Sequence, residues 1–393
     1  MNITSEIIND DSQKFFENFK KIKNPKITFA RWGNYSIAFE SFLKNLGLDV
    51  IPPQKTNSIT IEEGSKISPQ MFCFPMKTTM GNYISAIEKG ANVILTIQSI
   101  GGSCRQRYYS IVQEKILKEH GYNIVFLNVC LNIKDLYSRL KIVVCKDKKN
   151  YFLFAKKIIK SIFYFKKQLS LIEDAERMAQ YLRPREIIKG QTDKILNLSL
   201  LEIEKLKTVK SLFGARKKIK KEFGRIKIEK GKDCPRVAMI GEIYTVSDSD
   251  INFDIESKLG KEEIEVHSEM NVSYHLKKAI FPWKDYFIQK KINSYLKSTV
   301  GGHGRDAIYE MLNYTEKNFD GIVHIIPFGC MPEVTVRPML ESIHKKTGIP
   351  FMSISLDEQV AEAGVNTRIE AFVDVVCNYY KNKNKILKNN KIK

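Results

Sequence analysis

The sequence predicts an α/β protein built on parallel, doubly wound sheets, and three observations predict it. Short apolar runs recur along the chain, among them KITFAR at 26–31, NVILTIQ at 92–98 and GIVHII at 321–326. Most are followed within a few residues by a segment with the apolar spacing of an amphipathic helix, several of them closed by glycine. The connections are short, and repeated strand–loop–helix units with short links are the signature of a parallel sheet crossed by helices.

The pattern runs first through residues 1–133. Strand 26–31 leads to a helix over 35–46 that stops at Gly47, and a short strand follows at 48–51. A helix over 75–88 runs up to Gly90, strand 92–98 follows it, and a Gly101-Gly102-Ser103-Cys104 loop opens the helix 105–119. Strand 123–128 closes this half. Residues 134–233 lose the strand signals and carry a long Leu/Ile/Lys periodicity, which predicts a mostly helical connecting segment interrupted at Pro184. Its aromatic stripe (Tyr151, Phe152, Phe154, Phe163, Tyr164, Phe165) reads as helix packing rather than a ligand box.

The alternation restarts over 234–380. Strand 236–243 (RVAMIGEI) ends in a Gly-Glu turn, a helix covers 252–259, and 263–266 is an edge-like strand. One helix is expected over 283–299, broken by Gly301-Gly302-His303-Gly304, with a second over 305–316. Strand 321–326 delivers Cys330, the helix 332–345 stops near Gly348, strand 351–355 follows, and 367–380 is the last helix. Residues 381–393 form a basic tail with six lysines.

The formal charge is +20. A concentrated basic face would point to nucleic acid. Here lysine is spread widely, so composition accounts for the charge and nucleic acid is not an expected partner. The densest patch is Arg216-Lys217-Lys218-Ile219-Lys220-Lys221. No apolar run approaches the roughly 20 residues of a membrane helix, and residues 1–6 show neither a basic nor an apolar leader region. The expectation is a cytoplasmic protein with no membrane partner, whose seven cysteines serve as thiols or metal ligands rather than disulfides.

Three of those cysteines share one setting. Cys73 lies in Phe72-Cys73-Phe74-Pro75, Cys104 in Gly101-Gly102-Ser103-Cys104-Arg105, and Cys330 in Pro327-Phe328-Gly329-Cys330-Met331-Pro332-Glu333. Each sits in a loop and opens a helix, where free N–H groups and the helix dipole favour a thiolate. Three thiolates from distant loops suffice to hold an iron–sulfur cubane with one iron open. Buried structural thiols are the plain alternative. Cys130, Cys145, Cys234 and Cys377 read as ordinary, with Cys234 the sole candidate for a fourth ligand. His303 is a candidate proton donor, since histidine titrates near neutrality; a satisfied loop histidine explains it equally. Glu333 is a candidate acid–base group, with capping of the helix dipole as the default. Arg105 and Arg107 could neutralise an anionic site, and Asp357, Glu358 and Glu362 could line one.

The stretch HIIPFGCMPEVTVRPMLESIHKKTGIPFMSISLDEQVAEAGVNTRIEAFVDVV closely resembles the 2-hydroxyacyl-CoA dehydratase family, in its 2-hydroxyglutaryl-CoA dehydratase D-component-like, activase-related branch. The segments CFPMK, GGSCRQRYYSIVQEKILKEHGYNIVFLNV, GEIYTV and VGGHGRDAI resemble the same family in the same order. The resemblance implies two flavodoxin-like domains facing a cleft, with a [4Fe–4S] cluster held by Cys73, Cys104 and Cys330. It also implies a dimer, with itself or with a related subunit, and an ATP-hydrolysing iron–sulfur activase as electron donor. Relatives include acyl-CoA dehydratases and double-cubane proteins that reduce small molecules, so the cluster is a single cubane or one half of a double-cubane [8Fe–9S] cluster. This chain carries no Gly-rich phosphate loop ahead of a Lys-Ser/Thr pair, so it is not expected to bind ATP. The expected function is reduction or dehydration of a small-molecule or acyl-CoA substrate. The alternative is a non-catalytic electron-transfer or cluster-carrier protein.

Overall fold

The computed structural model describes residues 17, 19, 22–98, 104–130, 133–144, 151–281 and 283–391. Residues 1–6, the Gly101-Gly102-Ser103 turn and Cys145 lie outside the described residues. The chain divides into two compact units. The first takes in the described residues up to Trp32, then Ser36–Phe72 and Met76–Lys166; the second takes in Gly33–Tyr35, Cys73–Pro75 and the chain from Lys167 onward.

In the first unit, strands β1 (Lys26–Phe29), β2 (Asp49–Val50), β3 (Val93–Gln98) and β4 (Val125–Cys130) form one sheet in the order β2-β1-β3-β4. Every pair is parallel. The helices are α1 (Ser36–Asn45), α2 (Ser58–Ile67), α3 (Phe74–Glu88), α4 (Tyr109–Glu119) and α5 (Ile133–Val144). Ile27, Phe29, Leu43, Val93 and Leu127 pack as the core. Helix α2 starts on a capping box, in which Asn57 Oδ1 accepts from the Thr60 amide and Thr60 Oγ1 accepts from the Asn57 amide, both at 3.0 Å. It crosses α3 backbone to backbone: a Cβ on Gly81 would lie 1.7 Å from the Thr60 carbonyl oxygen.

Helix α6 (Tyr151–Leu182) is a single 32-residue element that begins in the first unit and continues into the second. Phe154, Tyr164 and Phe165 pack inward: Phe165 meets Phe39 at 5.2 Å and Phe42 at 5.7 Å, and Phe154 meets Tyr137 at 5.3 Å between ring centroids, while Phe163 is exposed. At Pro184 the chain tightens into a short 3-10 turn, then forms α7 (Gln191–Lys205) and α8 (Val209–Phe223).

The second unit repeats the sheet. Strands β5 (Arg236–Gly241), β6 (Glu265–His267), β7 (Gly321–Pro327) and β8 (Phe351–Leu356) are parallel in the order β6-β5-β7-β8. Its helices are α9 (Ile243–Ser247), α10 (Ile255–Lys261), α11 (Val272–Ile280), α12 (Trp283–Ile292), α13 (Gly304–Glu316), α14 (Met331–Thr347) and α15 (Glu362–Lys391). The helix expected over 283–299 ends at Ile292. Asn293 and Ser294 favour a turn over a helix interior, and Gln289 Nε2 donates to the Leu296 carbonyl at 2.7 Å across it. The last helix is longer than expected, beginning at Glu362 and reaching Lys391.

Both sheets have the 2-1-3-4 order of a flavodoxin-like fold. In such sheets the strand order reverses between the first and third strands, and ligands gather beyond the carboxyl ends of the strands at that point.

Candidate functional site

In the second unit the reversal lies between β5 and β7, and the sequence turns sharply at both strand ends. Gly241 closes β5 with φ +138°, and a Cβ there would stand 2.1 Å from the Ile325 carbonyl oxygen of β7. Only glycine fits that approach. The next residue, Glu242, caps α9: its carboxylate accepts from the Tyr244 amide at 3.1 Å and from the Thr245 amide and hydroxyl at 2.9 Å each. Burial raises its pKa, against the pull of His303 and of those donors.

Beyond β7, Gly329 takes φ +72°, the Cys330 amide donates to the Pro327 carbonyl at 3.0 Å, and Cys330 stands at the N-cap of α14. The Phe74 amide donates to the Phe328 carbonyl at 3.0 Å, which pins the Cys73–Pro75 segment to this loop. Cys73 and Cys330 are thereby brought together, 9% and 7% exposed. The helix start does not dominate the Cys330 thiol as its position suggested. Burial pushes its pKa well up, the Glu333 and Glu242 carboxylates and Cys73 push the same way, and the Glu333 amide opposes them.

Glu333 is fully buried, and its Oε2 meets His324 Nε2 of β7 at 2.8 Å. It therefore pairs inward rather than capping the helix in solvent. Glu333 Oε1 and His324 Nδ1 have no protein partner. His303 stands at the N-cap of α13, whose start is packed against α14: a Cβ on Gly304 would lie 3.0 Å from the Pro332 carbonyl oxygen. The His303 ring meets that of His275 edge to face at 4.6 Å. Burial, with His303 and Lys278 nearby, lowers the pKa of His275 to about 2, so this neighbour is neutral. Phe328, Met331 and Val334 are exposed apolar side chains on the loop and first turn around Cys330.

Cys104 belongs to the first unit, where it is half-buried and stands at the N-cap of a 3-10 turn after β3. Its neighbour Arg105 is tied inward: Nη1 donates to the Met71 carbonyl at 2.9 Å and the guanidinium covers the Phe72 ring at 5.5 Å. Arg107 stacks over Tyr108 at 4.7 Å. Arg105, next to Cys104, thus touches Met71 and Phe72 of the same unit. Among the described residues, no group of three His, Cys, Asp and Glu side chains is gathered as a metal site.

Cys234 is buried with its Sγ 4.0 Å from the Pro184 carbonyl, and Cys377 lies on α15. Asp357 Oδ1 accepts from the Gln359 amide at 2.8 Å, and Glu362 pairs with Lys258 at 2.5 Å. Two residues of the site went unread in sequence, Glu242 and His324. A signal existed for each: a Gly-Glu pair ending a strand, and one ionisable residue inside the wholly buried run GIVHIIP.

No curated protein matches the chain. A solved structure from Salmonella typhimurium LT2, described as a sugar binding protein, aligns over 95% of this chain and 94% of its own at 9% identity, with a TM-score of 0.19, which transfers nothing. No helix among the described residues is long and apolar enough to cross a membrane. The family model for 2-hydroxyglutaryl-CoA dehydratase, D-component, matches residues 47–376, a span that takes in Cys73, Cys104, Cys330 and both sheets except β1. The chain belongs to the 2-hydroxyglutaryl-CoA dehydratase D-component family.

Proposed function

We propose that this chain is an iron–sulfur enzyme of its family, with Cys73, Cys104 and Cys330 holding a [4Fe–4S] cluster. The observation that carries the reading is the Phe74–Phe328 hydrogen bond, which sets Cys73 beside Cys330 at the reversal point of the second sheet. Two buried thiols of this kind are the soft donors that iron–sulfur clusters take. Cys104 is the third, standing like Cys330 at the start of a helical turn after the third strand of its sheet. When bound, the cluster supplies one-electron chemistry at low potential, the electron coming from an ATP-hydrolysing activase.

The chain's own residues have three tasks in this reading. Gly241 and Gly329 let the two strand ends turn, so that Glu242 and Cys330 reach the same place. Phe328, Met331 and Val334, exposed around Cys330, offer an apolar surface to a substrate. His303 and Glu333 are the acid–base groups of the reaction, Glu333 through its unpartnered Oε1. The substrate is a small molecule or an acyl-CoA that is reduced or dehydrated, and the working form is a dimer in the cytoplasm.

The test is anaerobic purification, iron and sulfide counting, and EPR before and after reduction. About four irons per chain with a reducible signal is the expected result, and iron-free protein after anaerobic reconstitution would overturn it. Adding acyl-CoA substrates to the reduced protein then separates an enzyme from a carrier, because a carrier is reoxidised by protein partners alone.

A further inference from the structure

The second unit holds a polar cavity of about 430 Å³ that shares no lining residue with the cysteine pair, Glu242, His303 or Glu333. Glu173 and Glu176 project into it from neighbouring turns of α6, and Glu256 enters from α10. Glu176 accepts from Asn34 Nδ2 and from the Tyr35 hydroxyl, both at 2.9 Å, and both donors are neutral. Glu173 accepts from the Ser273 backbone amide at 3.2 Å. Glu256 is already paired with Arg183 at 3.1 Å. The wall formed by α6 therefore carries two carboxylates whose protein donors are uncharged.

A second, separate feature marks the cavity. Tyr314, 3% exposed, lines it; its hydroxyl oxygen faces the Glu269 backbone amide, and its proton finds no acceptor in the protein. Its ring is fixed against Phe319 at 4.7 Å, and Arg236 in turn covers the Phe319 ring at 4.7 Å. A buried hydroxyl proton left unpaired costs free energy, so a ligand oxygen that accepts it would be favoured. Two carboxylates with neutral donors, the neighbouring Arg177 being paired with Asp174, and an idle donor on another wall define a ligand with two ends.

We infer that this cavity binds a small amine, its ammonium group against Glu176 and Glu173 and an oxygen acceptor of the same molecule on the Tyr314 hydroxyl. The volume suits a molecule the size of an amino acid with water around it. An ammonium supplies the counter-charge that neutral Asn34 and Tyr35 do not, and charge-assisted hydrogen bonds are the strong ones.

Calorimetry on the full chain at about pH 8, where Glu176 is ionised, tests this with three probes, n-butylamine, butyrate and 4-aminobutyrate. Both amines are expected to bind and butyrate is not, with 4-aminobutyrate the tighter of the two amines. Glu176→Gln keeps the side-chain shape and should weaken both amines by about ten-fold or more. Tyr314→Phe should weaken 4-aminobutyrate and leave n-butylamine unchanged. No heat from either amine at millimolar concentration, equal binding of butyrate, or affinity unchanged in Glu176→Gln would overturn the inference. Should Glu176→Gln fail to fold, Glu173→Gln carries the same expectation, and unchanged affinity in that variant would overturn the inference equally.

Discussion

The first sheet buries neutral polarity near its strand ends: Thr96 Oγ1 of β3 donates to Asn128 Oδ1 of β4 at 2.8 Å. The charged groups buried in the first unit, Arg31, Lys77 and Arg139, are cations; the second unit, with the same strand order, buries acids and a histidine beside β7. His324 of β7 meets Glu333 with both side chains wholly enclosed, and Glu310 on α13 is 2% exposed with neither carboxylate oxygen partnered. Each sheet follows its third strand with a cysteine that opens a helical turn, Cys104 after β3 and Cys330 after β7. Topology thus sets the place in both units, while side chains set the chemistry. The first unit offers a sulfur and an arginine tied to its own backbone; the second offers a sulfur surrounded by acids and histidines. Buried ionisable groups are costly to fold around, and a unit that keeps several of them beside one loop is organised around that loop.

The largest effect should come from the sulfurs, and it tests whether the two units contribute equally. Cys73→Ala, Cys104→Ala and Cys330→Ala should each remove most of the iron bound after anaerobic reconstitution, while Cys377→Ala keeps it. Full iron in Cys104→Ala alone would confine the site to the second unit.

Next in size are the glycines that allow close backbone approach in each unit. Gly241→Ala places a Cβ 2.1 Å from a carbonyl oxygen at φ +138°, and Gly81→Ala places one 1.7 Å from another. Each should cost about 3 kcal/mol or more in urea melts. The Gly241 variant should in addition lose bound iron out of proportion to its stability, because it turns the chain into the site.

A smaller effect concerns pH and belongs to the second unit. Burial, together with the Glu256 and Glu173 carboxylates, holds Glu176 at about 7, while Asn34 and Tyr35 donors pull down. Arg177, one residue on, is paired with Asp174. The folded state therefore keeps a proton on Glu176 that the unfolded chain releases above its ordinary carboxylate range. Its contribution to stability is full below about pH 4.5 and is lost as the pH rises to about 7, a change of about 3 kcal/mol at most. Wild-type stability should fall over that window relative to Glu176→Gln, and parallel curves would refute it.

The smallest effect is at the surface. Arg216 is engaged with Asp174 and Lys218 with Glu202 at 3.0 Å, while Lys217, Lys220 and Lys221 are exposed on α8. Reversing Lys217, Lys218, Lys220 and Lys221 together should slow reduction by the activase and weaken its salt dependence, with the cluster spectrum unchanged. A reduction rate equal to wild type would separate this patch from electron delivery.

Much of the fold was legible because strand and helix periods alternate cleanly, as in RVAMIGEI followed by helical spacing. The cysteine loops were legible because Gly329-Cys330 and Cys73-Phe74-Pro75 interrupt those periods. Helix α2 was not. Its sequence, SITIEEGSKI, mixes β-branched residues with a central glycine that costs helix stability, and Gly64 is explained by a contact with α3 that no local pattern encodes. Glu310 and Glu333 were equally hidden as to burial, since an acid on an amphipathic helix ordinarily meets water. Only the packing of α13 against α14 removes that water.

Residues Gly33–Tyr35 and Cys73–Pro75 are translated long before the sheet they join. The ribosome releases Tyr35 and Cys73 while Glu176 and Cys330 do not yet exist as chain, so these two short stretches wait for their partners. A gene cut at residue 167 would not yield two self-sufficient products. The downstream fragment would lack the hydroxyl that Glu176 accepts from and one sulfur of the pair at Cys330, and its buried acids would await segments encoded on the other piece.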